Sequence, residues 1–537
     1  MGFVHWPKWW IGGAAGALAA LWALLAVGAA CAAPPSDLDA YAQKAMQVFG
    51  APGMAVAIVE GHAITTRVFG VKRLGSGAGV DPHTVFPIGS NTKAFTAAAL
   101  AILVDEGKLA WTEPVAEALP GFRMWDPYAS HEMTILDLLS HRSGLGLGEG
   151  DLLFVPATTR SRADIVAALR ELKPKTSFRS VFAYDNILYP TAGELVLAVS
   201  GESWEDFVRA RIFAPAGMSD AVIDWNCAGR DHVAFHARIG GPVRGVGPIS
   251  VLPPTRSSLA AAPAGAICAS ASDMGKWLRV QLARGALPGG GRLFSVAASK
   301  EMWTPQTVVP ISPAPKEVAL IQPNFEDYGL GFFLQDYRGF PIVTHSGAVL
   351  GGVSAVAIIP EKNVAFAVMI NSEDSGARWA VFYHLLDHYL GLPPVDWIHD
   401  WKAALGHLHA EAIAKLQTAA AATHSSVGPS LPLSAYVGPY RDPWYGTASI
   451  SAAGKGLAIR FDQTPGMDGP LEHVQYDTFR AHWADRNIED AFVTFDLDPV
   501  GRIVDIRMAP VSPSADFSFD YRDLHFAPAA EAKTAAR

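Results

Sequence analysis

Ser90 and Lys93 are the residues of this chain whose types and spacing most directly suggest chemistry. They lie in the run FPIGSNTKAFTAAAL, residues 86–100, whose apolar second half predicts a buried helix opening at Ser90. Residues three apart share one face of a helix, so the Lys93 ammonium would lie beside the Ser90 hydroxyl. A desolvated lysine can activate a serine as a nucleophile. The alternative is that Ser90 caps the helix and Lys93 is a surface residue.

Tyr184 and Asn186 form a second candidate pair, on a loop ahead of another predicted helix. A tyrosine near a lysine would have a lowered pKa and act as a general base. Asn186 carries both a hydrogen-bond donor and an acceptor, which suits the amide of an acyl substrate. The alternative is a core tyrosine followed by a helix-capping asparagine.

The third candidate segment is His345-Ser346-Gly347, at the end of a predicted strand. On an edge strand, His345 would bind a substrate carboxylate or support proton transfer, and Gly347 would let the substrate backbone approach closely. A surface histidine with satisfied hydrogen bonds is the alternative. The polar run LLSHRSG, residues 138–144, is interpreted as a helix end and turn without chemistry.

The order of the predicted elements indicates how these residues would be positioned. A hairpin is predicted first, helices dominate from Ser90 to about Leu282, and strands then return before a closing helix at residues 379–390. The predicted strands are residues 54–59, 63–71, 330–334, 342–344, 353–359 and 364–370. This pattern predicts an α+β fold, in which an antiparallel sheet is flanked by helices and interrupted by an inserted all-α region.

The motifs S-x-x-K, Y-x-N and [KH]-x-G, in this order, resemble those of the serine β-lactamase and penicillin-binding protein superfamily. The resemblance is to its class C-like branch of AmpC-type β-lactamases, D-alanyl-D-alanine carboxypeptidases, D-aminopeptidases and esterases. Framing segments such as LLSHRSGL and IFAPAGM match as well, and the resemblance spans about residues 38–390.

This resemblance implies an acyl-serine mechanism without a metal or any other cofactor. Ser90 would attack an acyl carbonyl, and Lys93 and Tyr184 would share the proton transfers. The backbone N–H groups of Ser90 and Ala348 would form the oxyanion hole. Asn186, His345 and Gly347 would contact the substrate.

His345 is the point at which the sequence departs from the β-lactamases of that branch, which carry Lys-Thr-Gly there. A largely neutral histidine holds a substrate carboxylate less firmly than a lysine does. The small-molecule or peptide substrate therefore stays open among D-amino-acid peptides, esters and β-lactams. The alternative function is a non-catalytic cell-envelope binding protein that retains the fold, and the intact motifs argue against it.

The N-terminus predicts export. Residues 1–33 contain a long apolar run that follows Lys8 and ends in small residues around Cys31. This pattern indicates a cleaved signal peptide, a lipidated Cys31 or an uncleaved membrane anchor. Each of these would place the protein in the periplasm or another extracytoplasmic space.

The remaining sequence divides into four predicted segments. Residues 36–395 form the hydrolase-like domain, residues 396–432 a helical linker, residues 433–526 a small all-β barrel-like domain, and residues 527–537 a tail. The start of the barrel-like segment, LSAYVGPYRDPWYG, resembles a lipocalin-like domain of unknown function.

Charge and cysteine usage narrow the function further. The net charge of −9, with no basic stripe, excludes nucleic acid as an expected partner. Cys227 and Cys268 are either a disulfide or two buried thiols, and their spacing does not indicate a metal site. The sequence leaves the oligomeric state open.

Overall fold

The computed structural model describes residues 33–229, 231–255, 258–424 and 426–529. All but the last residue of the predicted export segment, residues 1–33, therefore lies outside the described residues. Within the described ranges, no helix combines the length and hydropathy that a membrane span requires.

The first domain contains an eight-stranded antiparallel sheet with helices on both faces. The strands of the whole domain, including the short ones outside this sheet, are β1 Gly53–Glu60, β2 Ala63–Gly70, β3 Phe86–Pro87, β4 Val222–Ile223, β5 His236–Ala237, β6 Ser250–Val251, β7 Ile267–Ala269, β8 Thr307–Val308, β9 Glu326–Tyr328, β10 Phe333–Tyr337, β11 Phe340–Val349, β12 Gly352–Ile359 and β13 Val364–Ile370. The order across the large sheet is β2-β1-β13-β12-β11-β10-β9-β8. Early and late strands thus share one sheet, which confirms the predicted α+β fold.

The helices of the chain divide between the two faces of this sheet. They are α1 Leu38–Phe49, α2 Lys93–Asp105, α3 Val115–Ala118, α4 Pro127–Glu132, α5 Ile135–Leu139, α6 Arg162–Ala168, α7 Leu188–Ser200, α8 Trp204–Val208, α9 Ala214–Ala216, α10 Ala262–Gly265, α11 Ala271–Leu282, α12 Val296–Met302, α13 Ser375–Leu390 and α14 Trp397–Ala421. Buried residues of α2 and α11 belong to the core on one face, and those of α1, α13 and α14 to the core on the other.

Strand β1 shows why the sheet needs both layers of helices. All eight of its residues are buried. Ala55 and Ala57 belong to the core beneath the inserted helices, whereas Met54 and Val56 belong to the core beneath α13. Alternate residues of a strand point to opposite faces, so a continuous apolar run fits a strand that is covered on both sides.

Strand β10 begins three residues later than the sequence predicts, at Phe333 instead of Leu330. Gly331 has a φ of +78° and packs against the backbone of Lys93, where a Cβ atom would approach within 2.8 Å of the lysine carbonyl. Leu330 donates its N–H to the carbonyl of Met302. These residues form a turn against the helical region, because only a glycine tolerates both this φ and this approach.

The second domain is a nearly closed eight-stranded barrel. Its strands are β14 Gly438–Asp442, β15 Gly446–Ala453, β16 Gly456–Phe461, β17 Asp468–Gln475, β18 Thr478–Ala481, β19 Ala491–Leu497, β20 Ile503–Pro510 and β21 Ala527–Pro528. Backbone hydrogen bonds in both directions between Ile506 and Phe526 join its two ends. The predicted all-β domain is confirmed. Residues 527 and 528 are a correction to the predicted tail, since β21 pairs with Tyr440 and Arg441 and satisfies the outer edge of β14.

A disulfide lies next to the strand that leads into Ser90, and the two domains share one apolar core. Cys227 and Cys268 form a disulfide, which decides between the two alternatives that the sequence left open. Cys268 lies on β7 and pairs with Pro87 on β3, the strand that leads into Ser90. The barrel core and the core beneath the inserted helices form one contiguous apolar cluster.

Candidate active site

Ser90 lies in a 3-10 turn, Gly89–Thr92, that continues directly into α2. The turn is fixed to its surroundings by buried hydrogen bonds. Ile88 donates its N–H to the carbonyl of Ile267 over 3.0 Å. The side chain of Asn91 donates to the Ser354 hydroxyl over 2.8 Å, and that hydroxyl donates to the Ile88 carbonyl over 2.8 Å. Ser90 is thus held by both β7 and β12.

Two glycines bring the Ser90 turn against β11. A Cβ atom on Gly89, whose φ is +51°, would lie 2.5 Å from the Ala348 nitrogen. A Cβ atom on Gly347 would overlap the carbonyl oxygen of Ile88. The sequence predicted that Gly347 admits a substrate backbone. In the structure the protein's own backbone at Ile88 occupies the space of the missing side chain, and a contact between Gly347 and a substrate stays a prediction.

Gly347→Ala is expected to lower the turnover number by about a hundredfold, because displacing a nucleophile by about 1 Å has an effect of that order. The thermal unfolding midpoint should also fall, since two backbones are forced apart. Gly121→Ala is the matched control, because a Cβ atom on Gly121 meets no atom within 4 Å. Wild-type turnover in Gly347→Ala would contradict this account of the turn.

Lys93 is fully buried beside Ser90, as the i, i+3 spacing predicts. Its Nζ donates to the Ser90 hydroxyl over 3.0 Å, to Asn186 Oδ1 over 2.7 Å and to the Ala264 carbonyl over 3.0 Å. The alternative of a surface lysine is therefore wrong. Three acceptors match the three N–H groups of an ammonium.

Burial lowers the pKa of Lys93 to about 7, and the charges of Asp151 and Asp185 partly oppose this shift. Near neutral pH the amine is therefore present in both protonation states. Asn186 Oδ1 and the Ala264 carbonyl can only accept hydrogen bonds, so they continue to receive the two N–H groups of a neutral amine. The lone pair that deprotonation creates then faces Ser90, whose hydroxyl can donate to it.

Tyr184 lies over Lys93, with its ring centroid 4.8 Å from Nζ. The sequence predicted a lowered pKa for this phenol, and that prediction is wrong. Burial raises the pKa of Tyr184 well above its ordinary value, and the nearby Ser90 hydroxyl offsets only part of the rise. The Tyr184 hydroxyl is buried and has no hydrogen-bond partner among the described residues. It is a neutral phenol with a proton free to donate.

Asn186 uses both ends of its amide within the protein. Its Oδ1 accepts from Lys93, and its Nδ2 donates to Asp151 Oδ2 over 2.8 Å. The residue therefore orients the lysine, whereas its predicted contact with a substrate amide stays a prediction. It also lines the cavity that contains Ser90.

His345 is buried and neutral, with both ring nitrogens engaged. Nδ1 lies 2.6 Å from the carbonyl of Ser346, which can only accept, so Nδ1 carries the proton. Nε2 lies 3.0 Å from the Tyr328 hydroxyl and accepts from it. Burial and the charge of Lys93 lower the pKa of His345 to about 3. The predicted pairing with a substrate carboxylate is wrong for this state, because the ring presents no free N–H and no charge.

Strand β11, which carries His345, is not an edge strand as the sequence predicted, since it lies between β10 and β12. Its pairing with β10 nevertheless stops at Thr344, whereas its pairing with β12 continues to Val349. The last five residues of β11 therefore have one unpaired side. Ala348 is exposed there, and it lines the same cavity as Ser90. The oxyanion role of the Ser90 and Ala348 N–H groups stays a prediction that this placement permits.

Comparison with known proteins places this constellation in a family. Residues 38–388, well over half of the 537, match the sequence profile of a family described as Beta-lactamase. The chain belongs to the beta-lactamase family. Residues 424–528 match a second profile, a domain of unknown function named DUF3471. The resemblance to the serine β-lactamase and penicillin-binding protein superfamily is confirmed, as is the C-terminal domain of unknown function.

Individual relatives show how far the similarity extends. Unguisins hydrolase ungD' of Aspergillus campestris is 30% identical over 418 residues, which cover 74% of this chain and 74% of that protein. Penicillin-binding protein 4 of Amycolatopsis lactamdurans is 30% identical over 344 residues, which cover 63% of this chain and 85% of the relative. The solved structure of the octameric penicillin-binding protein homologue from Pyrococcus abyssi aligns with a TM-score of 0.56 at 20% identity, covering 91% of this chain and 99% of the other. That last likeness concerns the fold of both domains.

The beta-lactamase-family site also contains a buried pair that the sequence did not predict. His141 Nδ1 lies 2.9 Å from Asp185 Oδ1 and accepts the Asp185 backbone N–H over 3.1 Å. Burial raises the pKa of Asp185 to about 8, which leaves a carboxyl proton for the imidazole. The His141 ring stacks on Tyr184 at a centroid distance of 4.2 Å. Residues 138–144 form the predicted helix end and turn, and the sequence did not predict that His141 in this turn packs against Tyr184.

The cavity above Ser90 in this beta-lactamase-family chain has a volume of about 900 Å³. Three parts of the chain form its walls: the hydrolase-like domain, the linker helix α14 and the barrel. Its large apolar side chains include Phe154, Phe182, Phe333, Leu408, Phe517 and Phe519. A cavity of this size and composition suits a bulky apolar ligand.

Proposed function

We propose that this protein is an exported hydrolase that forms an acyl-enzyme at Ser90 and cleaves an amide, peptide or ester bond of a substrate with bulky apolar groups. As a member of the beta-lactamase family it is a serine hydrolase of that family. The observation that carries the proposal is the coordination of Lys93, whose neutral amine has Ser90 as its one hydrogen-bonded partner able to donate a proton.

In the first step neutral Lys93 takes the Ser90 proton while Oγ forms a bond to the acyl carbon. The carbonyl oxygen becomes negative and is stabilised by the N–H groups of Ser90 and Ala348. The bond to the leaving group then breaks. The proton on Lys93 passes through the Tyr184 hydroxyl, which accepts it and donates its own to the leaving nitrogen or oxygen.

The second step reverses these transfers with water. Lys93, neutral again, takes a proton from the attacking water, directly or through Tyr184, and the water oxygen bonds to the acyl carbon. The ester bond to Ser90 breaks, and Oγ regains the proton from Lys93. The products are a free acid and a regenerated serine.

The charges around the cavity favour substrates that need no carboxylate anchor. His345 is neutral, and Arg244 is held by both oxygens of Glu373 at 2.6 and 2.7 Å. Lys415 also lines the cavity, but it lies on the linker helix α14, outside the domain that carries Ser90. Peptides and esters are therefore preferred over β-lactams in this proposal. The unguisins named for the fungal relative are a first compound class to assay.

The proposed location depends on residues 1–33 alone, and the proposed partner is the substrate itself. The alternative of a non-catalytic envelope protein has little support, because a buried lysine with a pKa near 7 beside a serine has no evident binding role.

The test is covalent labelling of the mature wild-type protein with a fluorophosphonate, followed by peptide mapping by mass spectrometry. The label is expected on Ser90. Its rate of formation should rise as pH increases through about 7 and then level off, because Lys93 becomes neutral over that range. Hydrolysis of substrates by protein that carries no label on Ser90, or that carries it on another residue, would contradict the proposal. A fluorescent penicillin assayed in parallel should be turned over more slowly than peptide and ester substrates.

A further inference from the structure

One loop of the barrel, residues 512–520, lies in the mouth of the active-site cavity. The ring of Phe517 packs edge-on against Tyr184 at a centroid distance of 6.1 Å. Asp520 Oδ2 accepts the N–H of Gly150 over 2.7 Å. The 512–520 loop is thus in contact both with a proposed catalytic residue and with the segment before Asp151.

Within this loop, Ser518 begins a hydrogen-bond chain that ends at Lys93. The Ser518 hydroxyl donates to Asp151 Oδ2 over 2.7 Å. Asn186 Nδ2 donates to the same oxygen over 2.8 Å, and Asn186 Oδ1 accepts from Lys93 Nζ over 2.7 Å. All four side chains are buried. Only Asn186 and Asp151 stand between Ser518 of the second domain and the Lys93 amine in this hydrogen-bond chain.

We propose that the barrel completes the active site and that Ser518 is a positioning residue for Lys93, acting through Asp151 and Asn186. This inference rests on the proposed acyl-serine function of the site. It assigns a role in catalysis to the C-terminal domain.

The geometry of Asp151 explains why Ser518 matters for Lys93. Asp151 Oδ1 is buried and has no hydrogen-bond partner among the described residues. Oδ2 is therefore the one oxygen held in place, and Ser518 is one of its two side-chain donors. Without the Ser518 donor, the carboxylate can turn away from Asn186 Nδ2, and the amide loses the contact that fixes its oxygen on Lys93.

This hydrogen-bond chain also makes the pKa of Lys93 depend on residues of the barrel. Burial raises the pKa of Asp151 to about 7, while Asn186, Ser518 and Lys93 lower it and Asp516 raises it. Other titratable groups around Lys93 and Asp151 are Asp185, Tyr184, Tyr189, His141, His345 and Asp520. Loss of the Ser518 donor therefore favours protonated Asp151, and with less negative charge nearby the pKa of Lys93 falls.

The experiment compares Ser518→Ala with wild type in the rate of fluorophosphonate labelling of Ser90 as a function of pH. At pH above the midpoint the variant is expected to react about tenfold more slowly, the effect of losing a hydrogen bond to a charged group. The midpoint itself should move to lower pH. Ser514→Ala is the matched control, because Ser514 lines the same cavity and hydrogen-bonds with Ser512 of its own loop.

Two further variants keep the result interpretable. Ser518→Thr retains the hydroxyl and should retain the wild-type rate and midpoint. Asp151→Asn removes the charge without changing the sequence of the 512–520 loop, and it should move the midpoint to lower pH as well. A Ser518→Ala protein that matches Ser514→Ala in rate and midpoint, or an Asp151→Asn midpoint at higher pH, would overturn the inference. Failure of the wild-type protein to label at Ser90 would instead contradict the proposed function.

Discussion

Ser90→Ala is expected to lower kcat/KM by about 10⁴-fold or more, and to abolish covalent labelling by a fluorophosphonate. The reason is that Ser90 supplies the attacking atom and Lys93 acts through it, so that removing Lys93 has little further effect once Ser90 is gone. The double variant Ser90→Ala/Lys93→Met should therefore be no less active than Ser90→Ala alone. The measurement is steady-state hydrolysis of an ester and a peptide substrate.

The comparison between Ser90→Ala and the double variant is the more informative measurement. If the double variant lost a further hundredfold relative to Ser90→Ala, Lys93 would be acting independently of Ser90, contrary to the 3.0 Å hydrogen bond between them. Ser514→Ala serves as the control, since it removes a cavity-lining hydroxyl that is not bonded to Lys93.

Lys93→Met is expected to slow acylation by about a thousandfold, within the range typical of general-base catalysis. Methionine has a similar length and no titratable group, so the rise in rate through pH 7 should disappear as well. The sign follows from the lowered pKa, because the wild-type amine is protonated and inactive below about pH 7 and neutral above it. Pre-steady-state labelling from pH 5 to 9 measures both effects.

The exposed Lys415 provides the matched control for this prediction. It lines the same cavity, so Lys415→Met removes a lysine without touching Ser90 and should keep the wild-type pH profile. Circular dichroism should confirm that Lys93→Met is folded, since the variant leaves Asn186 Oδ1 and the Ala264 carbonyl without their donor. A folded Lys93→Met protein that kept the pH-dependent rise would show that another group is the base.

The parts of the site that the sequence predicts correctly are those fixed by local geometry. Ser90 and Lys93 lie three residues apart on one helical turn, so their contact follows from the spacing. The sharing of one sheet by the early and late strands was predicted from the order of the elements, and apolar runs such as β1 and β13 fit strands with two covered faces. The start of β10 was misplaced because Leu330 is apolar, although it lies in a turn.

The errors concern properties that depend on distant residues. The pKa of Tyr184 depends on its burial by His141 and Phe517, which come from other segments. The state of His345 depends on Tyr328, whose hydroxyl occupies Nε2. Ser518 and Asp151 are 367 positions apart, and neither stands in a motif. Such contacts arise from tertiary packing, which spacing along the chain does not encode.

The contiguous apolar cluster that joins the barrel to the inserted helices bears on how the protein unfolds and how it can be recombined. Without a solvated layer between the two domains, heating should melt them together in a single cooperative transition. Separating the two domains at the linker would uncover hydrophobic surface on both fragments and favour aggregation. Barrels exchanged between relatives would have to match their new partner both in this buried surface and in the loop that reaches the catalytic lysine.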